Sequence, residues 1–145
     1  MRLADFVIEF LEKKRIDTVF TVSGGGSIFL CDALYKAKKI KYISCHHEQA
    51  VSYAAESYSR AKNKPGAAIV TTGPGGTNTA SGVACCWIDS VPVLFISGQV
   101  FLNQTIGSSG QRQMGVQEFD IVNMVKTSTK YAVMIKNANT IKYHL

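Results

Sequence analysis

A chain of 145 residues is long enough for one domain with a real core, and 46% hydrophobic against 18% charged residues excludes an extended disordered segment. The formal charge of +6 is dispersed over Lys13-Lys14-Arg15, Lys36 to Lys41, Lys62 and Lys64, mostly where helices should end, which suits solvated helix termini better than nucleic-acid binding. No basic stripe with interleaved aromatics accompanies it, and no apolar run approaches the roughly 20 residues of a membrane span.

At the N-terminus, Asp5 follows almost at once and no long apolar segment is present, so a signal peptide is not expected. Leu3, Phe6, Val7, Phe10 and Leu11 then recur at helical spacing opposite Glu9, Glu12, Lys13 and Lys14, which predicts an amphipathic helix. Asp17 to Val22 is β-rich and runs through Ser23-Gly24-Gly25-Gly26-Ser27 into a helical stretch ending near Lys38. The pattern repeats. Ile40 to Cys45 predicts strand two, Glu48 to Ala61 a helix, and Asn63-Lys64-Pro65-Gly66 a turn; Ala67 to Thr72 follows as strand three. Gly73-Pro74-Gly75-Gly76 opens a helix over Thr77 to Trp87, and Pro92 to Ser97 is strand four. Strands alternating with crossover helices predict an α/β fold with three layers, a mostly parallel sheet covered on both faces. Gly98 to Gly115 has little periodicity and reads as a long loop, of a length that in compact domains is usually functional or mobile. A short helix over Gln117 to Val125, a fifth strand over Thr127 to Ile135 and a helical start from Asn137 complete the chain.

Cys31, Cys45, Cys85 and Cys86 form no C-x-x-C pair and have no recurring spacing with histidine, so free thiols in a reducing cytoplasm are expected. His46-His47-Glu48 superficially resembles a metal site, but Val51 occupies the second histidine position of H-E-x-x-H and a third ligand is lacking. The two glycine turns suggest phosphate cradles, yet neither completes G-x-G-x-x-G and neither is followed by Gly-Lys-Ser/Thr; tight strand-to-helix turns remain the other reading. The small residues Ala80, Ser81, Gly82, Ala84 and Cys85 suit either packing within the domain or a helix-on-helix dimer interface. Glu48, where a strand hands over to a helix, is either a helix-start carboxylate favoured by the dipole or a proton-handling group at a ligand edge.

In order along the chain, His47-Glu48-Gln49-Ala50, Ala54-Ala55-Glu56-Ser57-Tyr58-Ser59-Arg60-Ala61, Lys64-Pro65-Gly66, Thr71-Thr72-Gly73-Pro74-Gly75-Gly76-Thr77-Asn78, Asp89-Ser90-Val91-Pro92 and Ile96-Ser97-Gly98-Gln99 form a set. Together they resemble the amino-terminal, pyrimidine-binding domain of thiamine diphosphate enzymes of the acetolactate synthase group. The likeness runs from Val19-Phe20 to Lys130-Tyr131.

The resemblance implies the thiamine diphosphate-binding fold, with residues 1–145 forming a pyrimidine-binding domain that lacks its last strand, and with the middle and diphosphate-binding domains absent. It implies that Glu48 bonds the pyrimidine N1′, so that the cofactor's own 4′-imino group removes the thiazolium C2 proton. Gly25, Thr72, Pro74 and Asn78 are then candidates for pyrimidine contact and Gln117 for a place near the substrate. Magnesium and the diphosphate would be held by the missing domain, the substrate would be a small 2-keto acid in decarboxylation and carboligation, and the assembly a homodimer or tetramer. The chain alone would then be inactive. Val22-Ser23-Gly24-Gly25 in place of Tyr-Pro-Gly-Gly, and Val116 in place of phenylalanine before Gln117-Glu118, leave the substrate and any structural FAD unassigned. The alternative is a non-catalytic binding or regulatory module that retains the fold.

Overall fold

The computed structural model describes all 145 residues, Met1–Leu145. Four short strands are the frame: β1 (Thr18–Thr21), β2 (Lys41–Ser44), β3 (Gly66–Val70) and β4 (Val93–Ser97). They pair in the order β2-β1-β3-β4, and every pairing is parallel. The helices are α1 (Leu3–Lys13), α2 (Ile28–Lys36), α3 (Glu48–Lys62), α4 (Pro74–Thr77), α5 (Ala80–Ile88), α6 (Ile121–Val125) and α7 (Ile141–His144). No helix is long and apolar enough to cross a membrane.

Successive strand residues point to opposite faces, and the two cores divide on that alternation. Val19, Ala67 and Ile69 face Ala4, Ile8 and Leu11 of α1 and Ala33 and Leu34 of α2. Phe20, Ala68 and Val70 face Val51 and Ala55 of α3. Leu11, Val19, Ile69 and Val51 are sealed from solvent, each worth roughly 1.5–3 kcal/mol of transfer free energy. The three-layer α/β architecture expected from the sequence is therefore present. On α1 the buried face is Ala4, Val7, Ile8 and Leu11, with Leu3 turned out, because contact with α2 rotates the stripe by about one position. Strand β2, at the sheet edge, is exposed along its whole length.

Helix α3 ends where expected: Asn63 takes the left-handed conformation at φ 50°, and Pro65, which has no N–H to offer, follows. A Cβ on Gly66 would lie 2.2 Å from the Ala55 carbonyl oxygen, so glycine is what lets β3 start against α3. A Cβ on Gly82 would similarly lie 2.4 Å from Ser52 Cβ; that small residue serves the packing of α5 on α3. The expected helix over Thr77 to Trp87 is divided, with α4 ending at Thr77 and α5 starting at Ala80.

The expected strand over Thr127 to Ile135 does not form. Residues 126–128 make a 3-10 turn, residues 131–135 pair with nothing, and β4 pairs with β3 alone. β-propensity expresses how well a side chain fits a half-buried pleated surface; here Tyr131 and Val133 stay exposed, and Met134 meets the end of the sheet through a side-chain contact, with Gln99 Nε2 3.8 Å from its sulfur. The helix expected from Gln117 begins later, at Ile121, where the Asp120 side chain caps it by accepting from the Asn123 N–H at 3.1 Å.

Candidate functional site

Topology selects one edge of this sheet. The chain leaves β1 toward β2 but leaves β3 toward β4, in opposite directions, so the adjacent carboxyl ends of β1 and β3 form a switch point. In open parallel sheets that is where a crevice opens for a ligand. The two glycine turns occupy it.

These turns interlock through Thr71. Its Oγ1 accepts from the Gly26 N–H at 3.2 Å, and its carbonyl accepts from Ser97 Oγ at 3.0 Å, tying together the ends of β1, β3 and β4. A Cβ on Gly24 would fall 2.5 Å from Thr71 Cβ, and one on Gly75 would fall 2.8 Å from Thr71 Cγ2. Thr72 is buried, and its Oγ1 has no hydrogen-bond partner. A Cβ on Gly26 would lie 1.8 Å from that oxygen, so the Thr72 side chain is tucked beneath the first turn. Gly25 is exposed with open space around its Cα, and Pro74 is exposed at the head of α4.

Glu48 reaches the same edge from β2. Pairing continues past the strand, with the Cys45 N–H donating to the Thr21 carbonyl at 2.9 Å, which sets the start of α3 beside the β1 turn. His47 caps α3: its Nδ1 accepts from the Gln49 N–H at 3.1 Å, which requires the neutral ring with its proton on Nε2. Of the two histidines, His47 is thus the helix cap. Glu48, the first helical residue, is half-buried. Its Oε2 accepts from Asn78 Nδ2 at 2.9 Å, while Oε1 lies 3.8 Å from where a Gly75 Cβ would stand. One carboxylate oxygen is held and the other faces the β3 turn.

Gln117 arrives from the long loop after β4. It has a left-handed backbone at φ 59°, and its carbonyl oxygen fills the position 1.8 Å from a Cβ on Gly73, itself at φ 56°. Glycine is required there on both counts. The Gln117 side chain is exposed at the rim. Beside it, Glu118 is 9% exposed and accepts from the N–H groups of Ile106, Met114 and Gly115. Burial pushes its carboxyl up, but the three backbone donors outweigh that and hold it below the usual carboxylate range.

All six positions singled out from the sequence, Gly25, Glu48, Thr72, Pro74, Asn78 and Gln117, therefore lie on or beside the turns at the carboxyl edge. Glu48 and Asn78 are in direct contact; Thr72 and Gln117 meet the edge through burial and backbone. Sequence reasoning passed over Thr71 and Glu118. A second β-branched hydroxyl residue at a strand end and an acid following a loop glutamine were the only signals, and both are common.

A family model described as thiamine pyrophosphate enzyme, N-terminal TPP binding domain, matches residues 1–124. The chloroplastic acetolactate synthase of Arabidopsis thaliana is 38% identical over 138 residues, covering 95% of this chain and 20% of that protein. The acetolactate synthase large subunit of Haemophilus influenzae is 35% identical over 138 residues, covering 95% and 23%. The mitochondrial acetolactate synthase catalytic subunit of Saccharomyces cerevisiae is 35% identical over 129 residues, covering 89% and 18%. The chain spans about a fifth of the length of the curated relatives it matches.

Proposed function

The chain belongs to the thiamine pyrophosphate enzymes, through their N-terminal TPP-binding domain, and from that premise we propose that its carboxyl edge holds the aminopyrimidine half of thiamine diphosphate with Glu48 as the activating carboxyl. The observation that carries this reading is the Glu48–Asn78 pair at the switch point, with one carboxylate oxygen engaged and the other directed at the β3 turn. An aminopyrimidine presents two ring nitrogens and an exocyclic amine around a flat ring, with the amine opposite the nitrogen that Glu48 would bond. Glu48 Oε1, the backbone groups of the two glycine turns and the open space at Gly25 are a donor and acceptor set that fits such a ring.

Within this reading each residue has a separate task. Glu48 shares a proton with the ring nitrogen, and Asn78 fixes which of its oxygens is free to do so. Gly25 and Pro74 present backbone to the ring, Thr72 supports the first turn from below, and Gln117 stands at the substrate side. When bound, the cofactor supplies a carbanion at its thiazolium C2. The Thr71 and Thr72 side chains fill the space between the two turns and so brace the backbone beneath the ring.

The enzyme as a whole is read as acetolactate synthase-like, acting on small 2-keto acids. The middle and diphosphate-binding domains, and with them magnesium, would lie outside these 145 residues, as the one-fifth span against the relatives suggests. FAD is left unassigned. A homodimer or tetramer would bring the diphosphate-binding domain to this edge, and the four free cysteines favour a reducing compartment such as the cytoplasm.

Replacing Glu48 by Gln tests the assignment. The amide oxygen can still accept from Asn78, so the fold and thermal midpoint should hold. With the carboxy-terminal partner, thiamine diphosphate and magnesium supplied, cofactor C2-proton exchange should fall by about 10²–10⁴-fold, the usual worth of a positioned acid–base group. A Gln variant that exchanges at the wild-type rate sinks the proposal.

A further inference from the structure

We propose that Glu118 is a positioning residue for this edge: its carboxylate clasps the Gly98–Gly115 loop and seats Gln117 on the Gly73 turn, so that loop and turn move as one unit. The inference rests on the reading of this edge as the pyrimidine side.

The loop has little else to close it. Between Val100 and Gly115 the other hydrogen bonds join residues no more than three apart, such as Gln104 N–H to the Phe101 carbonyl and Ser109 N–H to the Ile106 carbonyl. Glu118 alone links the two limbs, accepting from Ile106 at 2.5 Å on one side and from Met114 at 3.1 Å and Gly115 at 3.3 Å on the other. A carboxylate is the one side chain that can receive three such donors at once. The neck is also close-packed: a Cβ on Gly115 would lie 2.8 Å from both Val100 methyls and 2.9 Å from the Gln104 carbonyl oxygen.

Both ends of the clasped loop rest on the glycine turns. At its start, a Cβ on Gly98 would fall 2.4 Å from the Gly26 carbonyl oxygen, and at its finish the Gln117 carbonyl stands against Gly73. Hence a displacement of the Ile106–Gly115 span is transmitted to the β1 turn through Gly98 and to the β3 turn through Gln117. Interlocked backbones with no intervening side chain shift together or not at all.

The test uses the 145-residue chain, its Glu118→Ala and Glu118→Gln variants, amide exchange resolved by NMR, and titration with thiamine as the probe. Glu118→Ala should raise exchange at Ile106, Met114 and Gly115 by at least about ten-fold, as expected for a local opening, with Val19 and Ile69 unchanged. It should also shift the Gly73 and Gln117 resonances and weaken thiamine binding several-fold, and Glu118→Gln, which keeps one acceptor oxygen, should fall between. Unchanged protection of the three amides overturns the clasp. A freed loop with Gly73, Gln117 and thiamine affinity all unmoved overturns the positioning role. If the wild type does not take up thiamine, the pyrimidine reading fails separately, and the exchange and Gly73 shifts then judge the clasp. Where Glu118→Ala also loosens Val19 and Ile69, the same readouts on Glu118→Gln decide.

Discussion

Placing a methyl group on Gly75 tests how tightly the two turns are locked. Gly75 lies in the first turn of α4 with no left-handed requirement, so alanine is favoured there by helix propensity by up to about 1 kcal/mol. Against this, its Cβ would stand 2.8 Å from Thr71 Cγ2, well inside ordinary contact, whereas Thr71 Cβ lies at 3.5 Å and can stay where it is. Thr71 cannot easily turn its methyl away, because its Oγ1 is held by the Gly26 N–H. Overpacking of this kind costs about 1–3 kcal/mol, so Gly75→Ala should lose about 1 kcal/mol net. Thr71→Ser removes the methyl while keeping the hydroxyl acceptor, and alone should cost at most about 0.8 kcal/mol for one half-buried carbon. In the double variant the clash is gone, and stability should exceed the additive sum by about 1 kcal/mol or more. Urea unfolding of the four proteins, followed by circular dichroism at constant m-value, measures the coupling. Additivity within about 0.3–0.5 kcal/mol would mean that Thr71 swings its methyl aside at no cost, and the claim that the Gly26 N–H holds it in place would fail.

Two other outcomes follow from groups away from the edge. Asp17 accepts from Lys64 Nζ at 2.5 Å, and also from Tyr58 Oη and Thr18 Oγ1, which holds its carboxyl far below the usual range. A carboxyl depressed in the folded state stabilises above its unfolded pKa of about 3.9 and loses that contribution as pH falls toward the folded value. The urea midpoint of the wild type should thus drop more steeply below about pH 4 than that of Asp17→Asn, and parallel curves would contradict the pairing. The Cys86 thiol, 7% exposed, is pushed up to about 11 by burial, with Glu56 adding to the shift. In a brief iodoacetamide pulse at about pH 8, followed by peptide mass spectrometry, it should label more slowly than the half-buried Cys31; equal rates would count against its burial.

The fold was legible wherever a side-chain period met a turn signal. Val19-Phe20 and Ala67 to Val70 read as two-sided strands because both faces are covered by helices, and Asn63-Lys64-Pro65-Gly66 read as a turn because left-handed Asn63 and close-packed Gly66 are local requirements. The segment Thr127 to Ile135 misled for the opposite reason: its β-branched and aromatic residues favour a strand, but strand formation needs a neighbour's backbone, which no local pattern encodes. At the candidate site, Glu48 and the glycine turns were visible as motifs. Thr71 and Glu118 were not, because their roles come from contacts 45 residues away in one case and from three backbone donors across a non-repetitive loop in the other.

This distribution of labour bears on what the edge can recognise. Its walls are backbone, supplied by the connections after β1 and β3 and braced by the loop after β4, and glycine is needed where those walls touch. Main-chain groups offer fixed donors and acceptors at little entropic cost, but they carry no charge and transfer no proton. The one carboxyl directed into the edge is Glu48, and its geometry is set twice over, by the His47 cap that starts α3 and by the Asn78 amide on its Oε2. Under the proposed reading, recognition of a flat polar ring would be spread over the turns, while proton handling would fall to a single oxygen. The Glu48→Gln substitution leaves the first and removes only the second, which is why binding and activation should separate in that variant.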